Sequence, residues 1–125
     1  GSVHIEVSND LSIADVDILT RRITKKVYDE FGVVIHTVGV YAIDINNKKI
    51  RAMKKKIEEI VLSHDGAIDV HGFIVDEEDK ACNFDVVIDF SVLNRKIFRD
   101  MLIQEITKIY SDYKFDIVLD TDISD

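Results

Sequence analysis

The sequence predicts an α+β fold in which ferredoxin-like mixed sheets carry their helices on one face. Two observations support this prediction: alternation of apolar and polar residues marks short strands, and apolar stripes at helical spacing mark helices between them. The predicted order is β-α-β followed by α-β-β-α-β. A strand–helix–strand link makes its strands parallel through a right-handed crossover, whereas a short charged loop makes an antiparallel hairpin. Each complete unit should therefore hold a three-stranded mixed sheet.

The first block, residues 1–45, is predicted to be β-α-β. Apolar and polar residues alternate over 3–7, which indicates a short strand. Ser12 is a good N-cap for the helix that follows, and Gly32 should end that helix. The run 33–43 is β-branched and aromatic, and it predicts the second strand.

The second block, residues 46–125, is predicted to be α-β-β-α-β. Its elements are, in order, a helix over 50–61, strands over 68–75 and 84–90, a helix over 98–110 and a strand over 115–120. Gly66 suits the end of the first helix, because glycine tolerates left-handed backbone. The charged loop 76–80 joins the two strands of the predicted hairpin.

An internal repeat relates the first block to the end of the second. Aligning Asp17 with Asp100 also aligns Ile23 with Ile106, so acidic and apolar positions match along the helices. The alternative is that any two β-α-β units look alike. If the repeat is real, the first block is a truncated copy and residue 1 lies within a longer protein. The truncated copy lacks a hairpin partner for strand 3–7, so we expect an open edge there and self-association of the chain.

Composition excludes several classes of protein. The chain has 125 residues, of which 46% are hydrophobic, and a formal net charge of −8, which argues against nucleic acid as a partner. A single cysteine, Cys82, rules out an internal disulfide framework. The basic cluster 48–56 is interpreted as a solvated helix face, with an anionic headgroup surface as the alternative.

Motifs for catalysis are lacking. The sequence has no Gly-x-Ser-x-Gly and no glycine-rich phosphate loop. Its paired aspartates are interpreted as the polar faces of strands: Asp85 with Asp89, and Asp116 with Asp120. We therefore expect a protein that is not an enzyme.

Histidines are the strongest candidates for a site. His4 and His36 lie on strands that should be parallel neighbours, and Asp17 flanks the apolar stripe of the helix between them. Imidazoles with a carboxylate suit a divalent ion such as zinc, while the alternative is hydrogen-bonded surface histidines. His71 stands alone in the second block, and His64 suits a helix C-terminus because of the helix dipole.

Several stretches resemble the cytoplasmic C-terminal domain of cation diffusion facilitator transporters. The run 57–73 resembles the opening of that domain: a helix, a glycine turn, then His71 a few residues into the first strand. The stretch 4–12 resembles the family's second strand, where His-x-x-Val leads into a Leu-Ser helix start. The segments 84–90 and 113–124 resemble those of bacterial cation transporters with tandem copies of the domain.

The resemblance implies a soluble regulatory domain on the cytoplasmic face of the cell membrane, part of a transporter for divalent metal ions. It implies a homodimer, the transmembrane domain of the same parent protein as a partner, and bound zinc or a similar ion. By this resemblance, His4, His36 and His71 correspond to the histidines on the family's strands. Asp17 stands where the family has a helix histidine, and Val38 stands where a carboxylate often follows. A bound ion should still use His4 or His36 before His71, because only the first block retains two histidines that match the family.

A second hypothesis is a free-standing ferredoxin-like module that binds a small molecule and regulates another protein. The parent reading frame separates the two hypotheses. Several apolar spans upstream would favour the transporter, whereas a start codon close to residue 3 would favour the free-standing module.

Overall fold

A computed structural model describes residues 1–43 and 47–121, and its architecture is α+β. The elements follow the predicted order: β1 (Ser2–Ser8), α1 (Ile13–Phe31), β2 (Thr37–Ile43), α2 (Lys48–Leu62), β3 (Ala67–Asp76), β4 (Ala81–Ile88), α3 (Arg95–Ile109) and β5 (Lys114–Thr121). The chain divides into two compact units, Gly1–Ile45 and Asn46–Asp125, which are described separately below.

The first unit pairs β1 and β2 as parallel strands, in register from Ser2 opposite Thr37 onward. Their connection, α1, begins at a capping box in which the Ser12 hydroxyl accepts from the Asp15 N–H and the Asp15 carboxylate accepts from the Ser12 N–H. The helix ends at Gly32, whose φ of 67° is left-handed and favours glycine. The predicted boundaries of this helix are confirmed.

The second strand of this unit is shorter than predicted. The prediction of strand over 33–43 is wrong for residues 33–36, because β2 begins at Thr37. Thr37 lies opposite Ser2, the first residue of β1, so the ladder offers no β1 residue to pair with 33–35. The His36 N–H still donates to the Gly1 carbonyl at 2.9 Å, just outside the ladder.

The second unit holds a three-stranded mixed sheet in the order β3-β4-β5. β3 and β4 form the predicted antiparallel hairpin, and β4 and β5 are parallel. The hairpin turn is set by Asp76, whose carboxylate accepts from the N–H groups of Glu78 and Asp79 at 3.0 and 3.1 Å. Lys80 completes the turn with a left-handed φ of 51°.

The prediction of a strand over 84–90 is wrong at both ends. The strand β4 starts earlier, because Ala81 has ladder partners in both neighbouring strands. It stops before Asp89, whose carboxylate accepts from the Ser91 N–H at 2.8 Å and turns the chain. Phe90 therefore leaves the sheet and is 75% exposed.

The helices α2 and α3 pack on one face of the three-stranded sheet and build its core. The side chains that are almost completely enclosed are Ile57, Val61, Cys82, Phe84, Val86, Ile88, Leu102, Ile106 and Ile117. In the first unit, Val7 is the one buried side chain among residues 1–43. Two strands and one helix bury little apolar surface, and such a unit is marginal by itself.

Burial has the same phase in α1 and α3 from Leu19 and Leu102 onward, but not in the first turns, where exposed Asp15 aligns with buried Phe98. The repeat alignment places Leu19 at Leu102 and Ile23 at Ile106. The two residues of α1 are half-buried, and the two residues of α3 are buried. A repeat requires this agreement, while the origin of the first unit as a truncated copy stays a prediction.

Candidate functional site

His4 is exposed on β1 and stands opposite Gly39 in the parallel ladder. Its ring packs edge-on against Tyr41, with centroids 5.5 Å apart. A Cβ on Gly39 would lie 2.3 Å from Cδ2 of His4, so the glycine makes room for the ring. Paired residues of a ladder share a face and neighbours alternate, so His4 lies on one face while Val3 and Val38 lie on the other.

Asp17 and His36 line the same open cavity, on the face that His4 does not share. The cavity has a volume of about 360 Å³ and lies between α1 and the start of β2, with Val38 in its wall. The Asp17 carboxylate accepts a hydrogen bond from Nε of Arg21 at 3.0 Å, and both side chains are exposed. Asp17 and His36 thus share a cavity from which His4 is separated by the sheet.

His71 lies on the face of β3 opposite to the core of the second unit, with a carboxylate close by. Its Nε2 is 3.3 Å from Oδ2 of Asp69, two residues earlier on the same face of the strand. The other oxygen of Asp69 accepts from the Val70 N–H at 2.8 Å, which helps to hold that carboxylate in place. Asp85 stands opposite His71 in the ladder with β4. The sequence spacing Asp-x-His was the available signal for this pair, and the sequence reasoning passed over it.

The four predicted ligands therefore do not form one group. Asp17 and His36 line the same cavity in the first unit, and His4 lies on the other face of that sheet. His71 lies in the second unit beside Asp69, which the sequence did not predict as a ligand. Within residues 1–43 and 47–121, no three His, Cys, Asp or Glu side chains cluster closely enough to hold a metal ion. Metal binding by these residues stays a prediction.

His64 joins the two helices of the second unit. Its Nε2 lies 2.6 Å from Oε2 of Glu105 on α3, and its ring packs edge-on against Phe98. The predicted position at the end of α2 is correct, since the helix ends at Leu62. The pairing with α3 gives His64 a role in holding the helical layer together.

A charged network surrounds the hairpin turn. Oε2 of Glu77 accepts from Lys80 at 2.8 Å and lies 3.6 Å from Nζ of Lys49, and Oε1 accepts from the Tyr113 hydroxyl at 2.6 Å. The pKa of Glu77 is lowered to about 2. The largest cause is the hydrogen bond from Lys80, and the second is the hydrogen bond from Tyr113, because both stabilise the carboxylate. This network ties the turn to α2 and to the start of β5.

Cys82 is enclosed in the core, with no exposed surface. Burial raises the pKa of its thiol to about 12, because the thiolate would lose its hydration. At neutral pH the side chain is a neutral, inaccessible thiol that packs like a small apolar residue.

A groove runs between the beginning of α3 and β5. We call it the α3–β5 groove, a cavity of about 390 Å³ lined by Arg95, Lys96, Arg99 and residues 116–119. Arg95 is fixed across it, donating to the Thr121 hydroxyl at 2.6 Å and to the Leu119 carbonyl. The sequence reasoning did not find this groove, because the residues that line it lie far apart along the chain.

The basic cluster lies on the exposed side of α2, as predicted. Lys48, Arg51, Lys55 and Lys56 are exposed, while Met53 and Ile57 on the opposite side are buried. A helix that is polar on one side and apolar on the other is expected where one side faces a core and the other faces water.

Comparison with protein-family models, curated proteins and solved structures found no match to this chain. None of the helices in the described part of the chain is long and apolar enough to cross a bilayer.

Proposed function

We propose that this chain is a regulatory and dimerisation domain of a divalent metal cation transporter, located at the cytoplasmic face of the membrane. One observation carries the proposal: the imidazole of His71 lies 3.3 Å from the Asp69 carboxylate, on the face of the sheet opposite to the core of the α-β-β-α-β unit. The resemblance to cation diffusion facilitators assigns a strand histidine to that position. An imidazole beside a carboxylate is a donor set that zinc accepts.

The order of use among the histidines changes with the observed register. The expectation that an ion uses His4 or His36 first rested on the first block, which alone retains two histidines that match the family. They lie on opposite faces, and the carboxylate that shares a cavity with His36 accepts a hydrogen bond from Arg21. His71 keeps a carboxylate within 3.3 Å, so we propose it as the first ligand.

Two ligands hold zinc weakly, since stable sites use three or four. A second copy of the chain would complete the set by presenting its own Asp69 and His71 across a two-fold axis. On this proposal, metal binding and dimerisation are one event. The role of the ion is to stabilise one arrangement of two domains, and the chain performs no chemical step on it.

The open edge of the first unit supports association in the same way. Among the described residues, β1 has β2 as its one neighbouring strand, so the other side of Ser2–Ser8 is an edge of the sheet. Proteins usually cover such edges. Phe31 and Val34 add exposed apolar surface to this unit.

The test is sedimentation of the chain with and without zinc, and then with manganese. We expect zinc to raise the dimer fraction, and His71→Ala or Asp69→Asn to weaken this effect by on the order of tenfold. Asp120→Asn is the matched control, because it removes the same charge from β5. An unchanged sedimentation coefficient at saturating zinc would refute the proposal. A zinc effect that survives His71→Ala and is lost in His36→Ala would move the site to the first unit.

The alternative, a free-standing module that binds a small molecule, is favoured by the α3–β5 groove, which is large enough for a small ligand. The parent reading frame decides between the two functions. Apolar spans encoded upstream would support the transporter domain, and a start codon close to residue 3 would support the free-standing module.

A further inference from the structure

The α3–β5 groove concentrates positive charge in a protein whose formal net charge is −8. Arg95, Lys96 and Arg99 reach it from the first turns of α3, and Asp116 is the one carboxylate among its described lining residues. Three cations against one anion leave this groove with a local excess of positive charge. An anion near it would be attracted, although the molecule as a whole repels anions.

The position of these cations opposes the stability of their own helix. Arg95 and Lys96 occupy the first turn of α3, where the helix dipole is positive and acidic residues are favoured. The first turn of α1 follows that preference with Asp15. At the start of α2, Nζ of Lys49 forms an ion pair with Oε2 of Glu77 at 3.6 Å. Within the described residues, no carboxylate is bonded to Arg95 or Lys96.

The three cations remain available to a ligand. The partners of Arg95 are neutral oxygens, the Thr121 hydroxyl and the Leu119 carbonyl, so its charge is held in place without being neutralised. Lys96 and Arg99 are exposed, and in residues 1–43 and 47–121 neither side chain makes a hydrogen bond or ion pair. A fixed guanidinium beside two exposed cations is an arrangement that favours an anion with several oxygens.

We propose that the α3–β5 groove binds a phosphate group. The planar fork of Arg99 matches the oxygens of a phosphate, Arg95 adds its fixed charge and the N–H groups not used by Thr121 and Leu119, and Lys96 adds a point charge. An acidic peptide added as a further strand at β5 is less suited, because Arg95 already occupies the Leu119 carbonyl that such a strand would need. The phosphate belongs either to a soluble compound or to a lipid headgroup. This inference does not rest on the proposed metal-dependent dimerisation.

The test is a titration of the ¹⁵N-labelled chain with pyrophosphate at constant ionic strength, followed by amide chemical shifts. We expect saturable shifts for the amides of 95–99 and 116–119. Arg99→Gln should raise the dissociation constant by on the order of fivefold or more, because it removes a charge-assisted contact. Lys108→Gln is the matched control, since it removes the same charge from the last turn of α3, and its affinity should be unchanged.

A second arm uses vesicles to identify the source of the phosphate. Co-sedimentation with phosphatidylglycerol vesicles, absent with phosphatidylcholine and lost in Arg99→Gln, would assign a lipid headgroup. Arg99-dependent binding of pyrophosphate without vesicle binding would assign a soluble phosphate compound. Lys96→Gln is the substitute variant if Arg99→Gln changes the far-ultraviolet circular dichroism. The proposal is wrong if neither probe binds saturably, or if Lys108→Gln weakens binding as much as Arg99→Gln.

Discussion

Burial differs between the two units at positions that the predicted repeat makes equivalent, and this difference predicts unequal responses to one substitution. Leu102 is 0% exposed in the core of the second unit, whereas Leu19 is half-buried in the first. Leu102→Ala removes three carbons, which at about 0.8 kcal/mol each gives ~2.4 kcal/mol. The cavity left in an enclosed site raises the loss to ~3–4 kcal/mol. Leu19→Ala should cost ~1 kcal/mol, because part of that side chain already contacts water.

The assay is native-state amide hydrogen exchange, which reports the stability of each unit separately. Leu102→Ala should accelerate exchange in β4, α3 and β5, and leave the slowest amides of α1 unchanged. Met101→Ala is the control, because this neighbouring side chain is partly exposed and its loss should cost less than ~1 kcal/mol. Equal losses for Leu102→Ala and Leu19→Ala would refute the reasoning, and so would a loss at Leu102 below ~1 kcal/mol.

Two further predictions concern ionisable groups. The folded pKa of Glu77 is about 2 against an ordinary 4.5, so its contribution to stability is present above pH 4.5 and is lost as the pH falls towards 2. Urea denaturation should therefore show that the wild type is more stable than Glu77→Gln at pH 6 and equally stable near pH 2. Glu78→Gln is the control and should not show this change with pH. A difference between wild type and Glu77→Gln that persists at pH 2 would contradict the lowered pKa of Glu77. Cys82 should react with a thiol-specific disulfide reagent at pH 8 only as fast as the second unit opens, since its thiol is buried with a pKa of about 12. Equally fast reaction in native and denatured protein would show that it is accessible.

The sequence by itself was enough to predict the candidate ligands as residue types, but not the partners of each. The sequence predicts His71 as a metal ligand because it is a histidine on a strand. It does not show that the carboxylate of Asp69, two residues earlier, lies beside that histidine. The network around Glu77 joins residues 36 positions apart in the chain. The α3–β5 groove joins Arg95 to a strand 24 positions later. Contacts between such distant residues depend on how elements pack, which local patterns do not encode.

The order of strands and helices was determined by the sequence alone, because periods of 2 and 3.6 residues and caps such as Ser12 act within a few residues. The ends of strands were decided by the tertiary structure, since β2 begins only where β1 offers a partner. The same ladder decided whether the candidate metal ligands share a face. His4 stands opposite Gly39, and Gly39 comes three residues after His36. Because three is an odd number, the side chains of His4 and His36 lie on opposite faces of the sheet. Side chains alternate along a strand, so a single residue of register determines whether two ligands meet, and register is fixed only when the strands pair.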